Sequence, residues 1–267
     1  MLGAVCGDIA GSRHEFHPLP KSASPWDFEL FTERNRYTDD SVLTFAIAKA
    51  LMTPYASDEE LKENIVDNFH EFARMHPNGG YGGRFFRWLA EQRREPYNSF
   101  GNGSAMRVSP VGWIADSLEE TERLAKLTAD VTHNHPEGVK GACSVAGAIF
   151  LARNGKSKEE IKEYLKSKYG YDLDRTLAEI QPGYRFDETC QGSVPEALVA
   201  FLESENYEDA IRKAIWLGGD ADTQAAIAGS IAEAFYGIPD DLRRQVEEKL
   251  PPDLREVYDN WQKFIKR

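Results

Sequence analysis

Apolar residues recur at helical spacing along almost the whole chain. Leu43, Ile47, Ala50 and Leu51 fall on one helix face, and so do Leu61, Ile65, Phe69 and Phe72. Ala142, Val145, Ala146 and Ile149 make a third stripe, and Ile227, Ile231, Ala234 and Phe235 a fourth. Leu254, Val257, Trp261 and Phe264 make the last. Alternation with a period of two is scarce, and only Tyr184 to Cys190 suggests a strand. Between the stripes lie long connections around residues 13–37, 77–83, 95–103 and 169–191. Connections of that length in a compact domain are usually functional or disordered, and the glycines and aromatics in these suit a binding cleft. No repeat of fixed period and no Pro/Gly/Ser-rich linker divides the chain. The pattern predicts an all-α fold: a single compact domain of orthogonally packed helices over residues 1–267, with long functional loops.

Composition narrows the function. With 44 acidic against 32 basic side chains the formal charge is −12, a poor footprint for a nucleic-acid backbone. Acidic clusters can, however, hold hard cations. Cys6, Cys143 and Cys190 are far apart and form no CxxC pair, so neither a disulfide framework nor a zinc knuckle is expected. The N-terminal stretch has no basic start and reaches Asp8 before any apolar run of signal length. The most apolar segment, AAIAGSIAEAFYGI, is interrupted by Glu233. A cytoplasmic enzyme without membrane contact is expected.

Some motifs fail on spacing. His70-Glu71 followed by His76 sets the histidines six residues apart, on different helix faces, where a zinc site needs four. Gly155-Lys156-Ser157 lacks the earlier glycine of a P-loop, Phe150 standing there instead. Two other segments carry more. Tyr37-Thr38-Asp39-Asp40 precedes the Leu43/Ile47 helix, and Gly218-Gly219-Asp220-Ala221-Asp222-Thr223 precedes the Ile227/Ile231 helix. Either one alone is consistent with helix capping. Capping needs only one short polar residue, whereas each segment supplies two carboxylates and a hydroxyl. Facing one another, they would bind two hard divalent cations, Mg²⁺ or Mn²⁺.

With these segments the chain resembles the ADP-ribosylglycohydrolase family. The resemblance runs in order through Gly3-Ala4-Val5-Cys6-Gly7-Asp8, Gly11, Tyr37 to Ser41, Gly80-Tyr81-Gly82, Gly101-Asn102-Gly103-Ser104-Ala105-Met106-Arg107, Thr132-His133, Ser193 to Leu198 and Gly218 to Thr223. It implies an all-helical fold and a binuclear Mg²⁺ or Mn²⁺ site held by Thr38, Asp39, Asp40, Asp220, Asp222 and Thr223. It also implies an acidic residue near the metals at Glu15. Ser99, Phe100, Gly101, Asn102 and Gly103 match the segment that wraps the pyrophosphate and distal ribose, with Phe100 available to stack on a ring. His133 matches a ligand-contacting histidine, and His135 stands close enough to compete for that place.

The activity so implied is metal-dependent hydrolysis of the glycosidic bond joining ADP-ribose to a protein, nucleobase or small molecule, releasing ADP-ribose. Glu15, Asp39 and Asp220 are the expected acid–base and water-positioning groups. A protein that holds ADP-ribose without turnover, and a metal-dependent hydrolase of another nucleotide-like substrate, are the alternatives.

Overall fold

A computed structural model describes residues 1–266. Among them the chain forms α1 (Leu2–Gly11), α2 (Asp39–Met52), α3 (Asp58–Met75), α4 (Gly83–Ala90), α5 (Gly103–Met106), α6 (Ser109–Ile114), α7 (Leu118–Asp130) and α8 (Pro136–Arg153). It continues with α9 (Lys158–Tyr169), α10 (Leu177–Ile180), α11 (Cys190–Leu202), α12 (Tyr207–Leu217), α13 (Ala221–Tyr236), α14 (Asp240–Lys249) and α15 (Pro252–Phe264). The all-α expectation holds. The strand suggested at Tyr184–Cys190 reduces to a single antiparallel bridge, Gly101 to Thr189.

Outer helices carry their boundaries in local sequence. Ser57, Ser117, Ser157 and Asn206 each accept a hydrogen bond from the amide three residues on, with acids in the turn that follows. Such caps satisfy orphan amides and complement the helix dipole. α9 adds a full capping box with Glu160 and ends at left-handed Gly170.

The inner helices are different. In α13 every residue from Ala221 to Ala232 is buried, and in α1 every residue is buried. A helix apolar all round is one enclosed by others. α13 packs on α1, α12, α11 and α8. The contact with α1 depends on glycines spaced four apart. A β-carbon at Gly7 would lie 2.0 Å from Ala225 O, and one at Gly11 would lie 2.5 Å from Asp222 Cα. The two backbones therefore touch, and the approach sets Asp8 of α1 beside the first turn of α13.

The long loop of residues 12–38 is anchored rather than free. Lys21 Nζ donates to Gln181 O (2.7 Å), Tyr184 O (3.1 Å) and Leu217 O (3.1 Å), joining this loop to the 181–189 segment and to the end of α12. Arg212 lies over the Trp26 and Phe28 rings, at 4.8 and 5.0 Å. No described helix is long and apolar enough to cross a membrane.

The glycine contact gives a stability prediction. Gly7→Ala is expected to cost at least about 3 kcal/mol in urea unfolding, the upper range for overpacking, because the obstacle is backbone. Gly183, with nothing within 4 Å of a built β-carbon, is the control, and its alanine variant should stay within about 0.5 kcal/mol of wild type. A Gly7→Ala protein as stable as the control would contradict the close approach.

Candidate active site

The two acidic segments meet. Thr223 Oγ1, in the first turn of α13, donates to Asp40 Oδ2 in the first turn of α2 at 3.3 Å. Asp8, Asp40 and Asp222 each present an oxygen within 4.8 Å of the others, and so do Glu15, Asp220 and Asp222. Entry to α13 requires Gly218 and Gly219 at φ 69° and 136°. A β-carbon on Gly219 would also stand 2.6 Å from the Tyr184 ring. The Gly-Gly pair is therefore a backbone requirement for aiming Asp220 and Asp222, beyond any capping role.

Asp8 organises the other segment. Its Oδ2 accepts from the amides of Thr38 (2.9 Å) and Ser41 (3.1 Å) and from the Ser41 hydroxyl. Its Oδ1 accepts from Thr38 Oγ1 at 2.7 Å. The start of α2 is thus pinned to α1 by one buried carboxylate. Asp39 N donates to Gly79 O (2.7 Å), and Asn102 Nδ2 holds Asp220 Oδ2 at 2.7 Å.

Burial disfavours the charged form of all these acids, and repulsion between them adds to it at Glu15, Asp39, Asp40 and Asp222. Asp8 is raised to about 6, Glu15 to about 7 and Asp39 to about 8. Asp40 and Asp222 stand well above the usual carboxylate range, and Asp220 is raised as well. Asp40 Oδ1 is buried without a hydrogen-bond partner among the described residues. An all-oxygen cluster with an orphaned carboxylate oxygen fits a hard divalent cation.

Above this floor lies a cavity of about 410 Å³, lined by Glu15, Asp39, Asp40, Asp220, Asp222 and Thr223 below and by Ser99, Gly101, Asn102, Gly103 and His133 on the wall. The 99–103 segment is fixed to the 188–190 segment, with Asn102 N donating to Glu188 O at 2.8 Å and Cys190 N to Phe100 O at 2.9 Å. Of the two candidate histidines, His133 faces the cavity, while His135 caps α8 by accepting from Glu137 N at 3.1 Å. Burial, with Arg107 and Arg84 nearby, pushes His133 well below its ordinary value, so its ring is neutral. Buried Arg107 donates to Thr132 Oγ1 (2.7 Å), whose own proton is then free for His133 Nδ1 at 2.8 Å. That order leaves the ring proton on Nε2, the atom a β-carbon on Gly103 would meet at 3.1 Å.

Not every expected residue lies on the cavity. Thr38 is turned to Asp8 and lies behind the lining, although its oxygen stays beside Asp40. Asn102 spends its amide on Asp220 and on Ser193 (3.0 Å) as well as lining the wall. Phe100 is outside the lining, 39% exposed, with its ring 5.3 Å from that of His135. At the mouth stand instead Phe16 and Phe186, 71% and 46% exposed and stacked on each other at 5.8 Å. Sequence reasoning does not single out either as a site residue, nor Asp8, Tyr81, Arg84, Tyr97 and Glu188. Asp8 does leave a signal, being the one charged residue in an otherwise apolar and glycine-rich helix. The mouth residues leave none, since they lie on loops without periodicity.

Comparison with known proteins agrees with this architecture. The ADP-ribosylglycohydrolase family model matches residues 1–266. The chain is 28% identical to ADP-ribosylhydrolase ARH3 of Homo sapiens, over 95% of this chain and 90% of that one. It is 27% identical to the ADP-ribosylarginine hydrolase Tri1 of Pseudomonas putida, over 89% and 70%. A solved ADP-ribosylglycohydrolase-related protein complex shares the fold with a TM-score of 0.70 at 24% identity, covering 96% of this chain and 93% of its own. The protein is a hydrolase of glycosyl bonds. It belongs to the ADP-ribosylglycohydrolase family.

The raised carboxylates give a pH prediction with a definite sign. A carboxyl whose folded value exceeds its unfolded one contributes stability at low pH and loses it as pH rises through the folded value. Chelated protein should therefore show a falling Tm from about pH 4, the ordinary carboxylate value, to about pH 8, where the last of Asp8, Glu15 and Asp39 ionises. Saturating Mg²⁺ should flatten that slope. A metal-free Tm that is level or rising across the window would mean that these acids do not share one buried floor.

Proposed function

We propose that the protein hydrolyses the bond between the anomeric carbon of an ADP-ribose unit and the group carrying it, releasing ADP-ribose with the help of two Mg²⁺ or Mn²⁺ ions. The observation that carries this reading is the convergence of two acid groups, Asp8/Asp40/Asp222 and Glu15/Asp220/Asp222, beneath one cavity. Asp39, Asp40, Asp220 and Asp222, with the hydroxyls of Thr38 and Thr223, would hold the ions, and Asp8 joins or orders that set. Bound there, the ions would neutralise the floor and acidify a water.

The chain's own groups divide the remaining work. Cleavage builds positive charge on the ribose as water attacks, and Asp39 and Asp220, facing the cavity, are suited to position that water and take its proton. Glu15, half-buried at the mouth and within reach of Asp220 and Asp222, is suited to carry a proton between water and leaving group. His133 Nε2–H, the Ser99 hydroxyl, the Gly103 amide and the exposed guanidinium of Arg84 offer donors for the pyrophosphate, which the acidic floor repels. The leaving group would then lie towards Phe16 and Phe186 at the mouth. Exposed aromatic faces suit a planar cation, so a guanidinium is favoured over a hydroxyl. The Pseudomonas relative, by its name, acts on ADP-ribosylarginine.

Turnover tests this directly. EDTA should abolish release of ADP-ribose and Mg²⁺ restore it. Asp40→Asn and Asp222→Asn should each lose more than about 100-fold in kcat, beyond the range of outer-sphere changes. Both variants should melt no lower than chelated wild type, since each replaces a carboxyl whose charged form burial and neighbouring acids already disfavour. Near-native rates would reduce these acids to helix caps, binding without turnover would make the chain an ADP-ribose binder, and AMP as product would indicate phosphoester hydrolysis.

Linkage is tested with arginine- and serine-linked substrates. The arginine linkage should be cleaved faster, and Phe16→Ala combined with Phe186→Ala should shrink that preference. Equal rates on both linkages in wild type would refute the assignment of the mouth.

A further inference from the structure

His76 has no place in the reaction and no metal-binding spacing, yet it is buried at the end of α3 with both ring nitrogens engaged. Its Nε2 is 2.8 Å from Asp253 Oδ2, in the first turn of α15. A carboxylate only accepts, so Nε2 carries a proton, and Nδ1 shares a hydrogen bond with the Tyr37 hydroxyl at 3.3 Å. The His76 carbonyl accepts from Tyr81 Oη (3.0 Å) and from Gly79 N (3.2 Å). Gly79 O in turn accepts from Asp39 N at 2.7 Å. The neighbouring Gly80 is close to Asp39, since a β-carbon there would be 3.8 Å from Asp39 Oδ1.

From these contacts we infer that His76, gripped by Asp253, is a positioning residue for the active site. Its ring holds Tyr37, the residue before Thr38. Its carbonyl holds the 76–81 turn, which fixes Asp39 through Gly79 and presents the Tyr81 ring to the cavity. The C-terminal helix thereby sets one side of the acidic floor from outside it. Docking of α15 does not require the ion pair, because Leu254, Tyr258 and Trp261 already bury that helix against the core. Partners outside a metal site that orient the groups holding the ion typically change affinity or activity by about 10- to 100-fold when removed. The inference rests on the cation reading of the floor, and its test separates the two.

The experiment measures Mn²⁺ affinity of the metal-stripped protein by calorimetry, and kcat and KM for ADP-ribose release. Asp253→Ala and Tyr37→Phe should each weaken Mn²⁺ binding and lower kcat by about 10-fold, with KM changing less. The double variant should lose little more than the worse single one, because both act through one imidazole. Asp253→Asn keeps an accepting oxygen and should restore both quantities. Folded variants with wild-type affinity and kcat would overturn the inference, as would a lowered melting temperature with no change in either. Should Asp253→Ala fail to fold, Tyr37→Phe decides alone, since it removes only a hydroxyl. If wild-type protein binds no Mn²⁺, it is the cation reading that falls, and kcat of the same variants still decides the role of His76.

Discussion

Carboxylates gathered away from water repel one another and resist ionisation, and this chain gathers Asp8, Asp40, Asp220 and Asp222 in its interior with Asp39 and Glu15 at their edge. The cost is met by geometry. Glycines in α1 let two helix backbones touch, which delivers Asp8. A Gly-Gly entry turns the chain so that α13 begins with Asp220 and Asp222 pointing inward. Donors from Thr38 and Ser41 then converge on Asp8 and lock the start of α2. Removing any of these leaves the acids either apart or uncompensated. The architecture of the inner helices follows from the need to hold like charges together.

Much of that floor is legible in the amino-acid sequence. Two polar segments with more oxygens than a cap needs, each ahead of an apolar helix, point to Thr38, Asp39, Asp40, Asp220, Asp222 and Thr223. The all-α fold is legible for a related reason, because helical periodicity and caps such as Ser57 and Ser157 are local signals. Whatever depends on long-range meeting is not. Asp8 becomes important only because α1 lies on α13. The rim residues Phe16, Phe186 and Arg84 come together from segments with no shared pattern to follow. The spacing of His70 and His76 correctly excludes a zinc pair, yet His76 is a hub through contacts with Tyr37 and Asp253 that its own helix does not foretell.

Side chains along the wall show how one buried cation can set the state of a neighbour. Arg107, stacked over Phe69 at 4.4 Å, fixes the Thr132 hydroxyl, and that hydroxyl fixes the proton on His133. A neutral ring with a defined donor atom faces the glycine segment without adding a charge that would compete for the acids. Asn102 works in the same way from the other direction, lining the wall while holding Asp220 in place.

Lys21 marks a boundary between two kinds of structure. Inward of it, Asp8, Asp39, Asp40, Asp220 and Asp222 all sit on or at the start of helices embedded in the core. Outward of it, residues 12–38 and 181–189 are loops held by side-chain contacts to the helices and to each other, the three Lys21 hydrogen bonds among them. Lengthening such a loop costs little, since closure entropy grows only with the logarithm of length. The rim can therefore be lengthened or exchanged at small entropic cost without disturbing the helices that hold the acids.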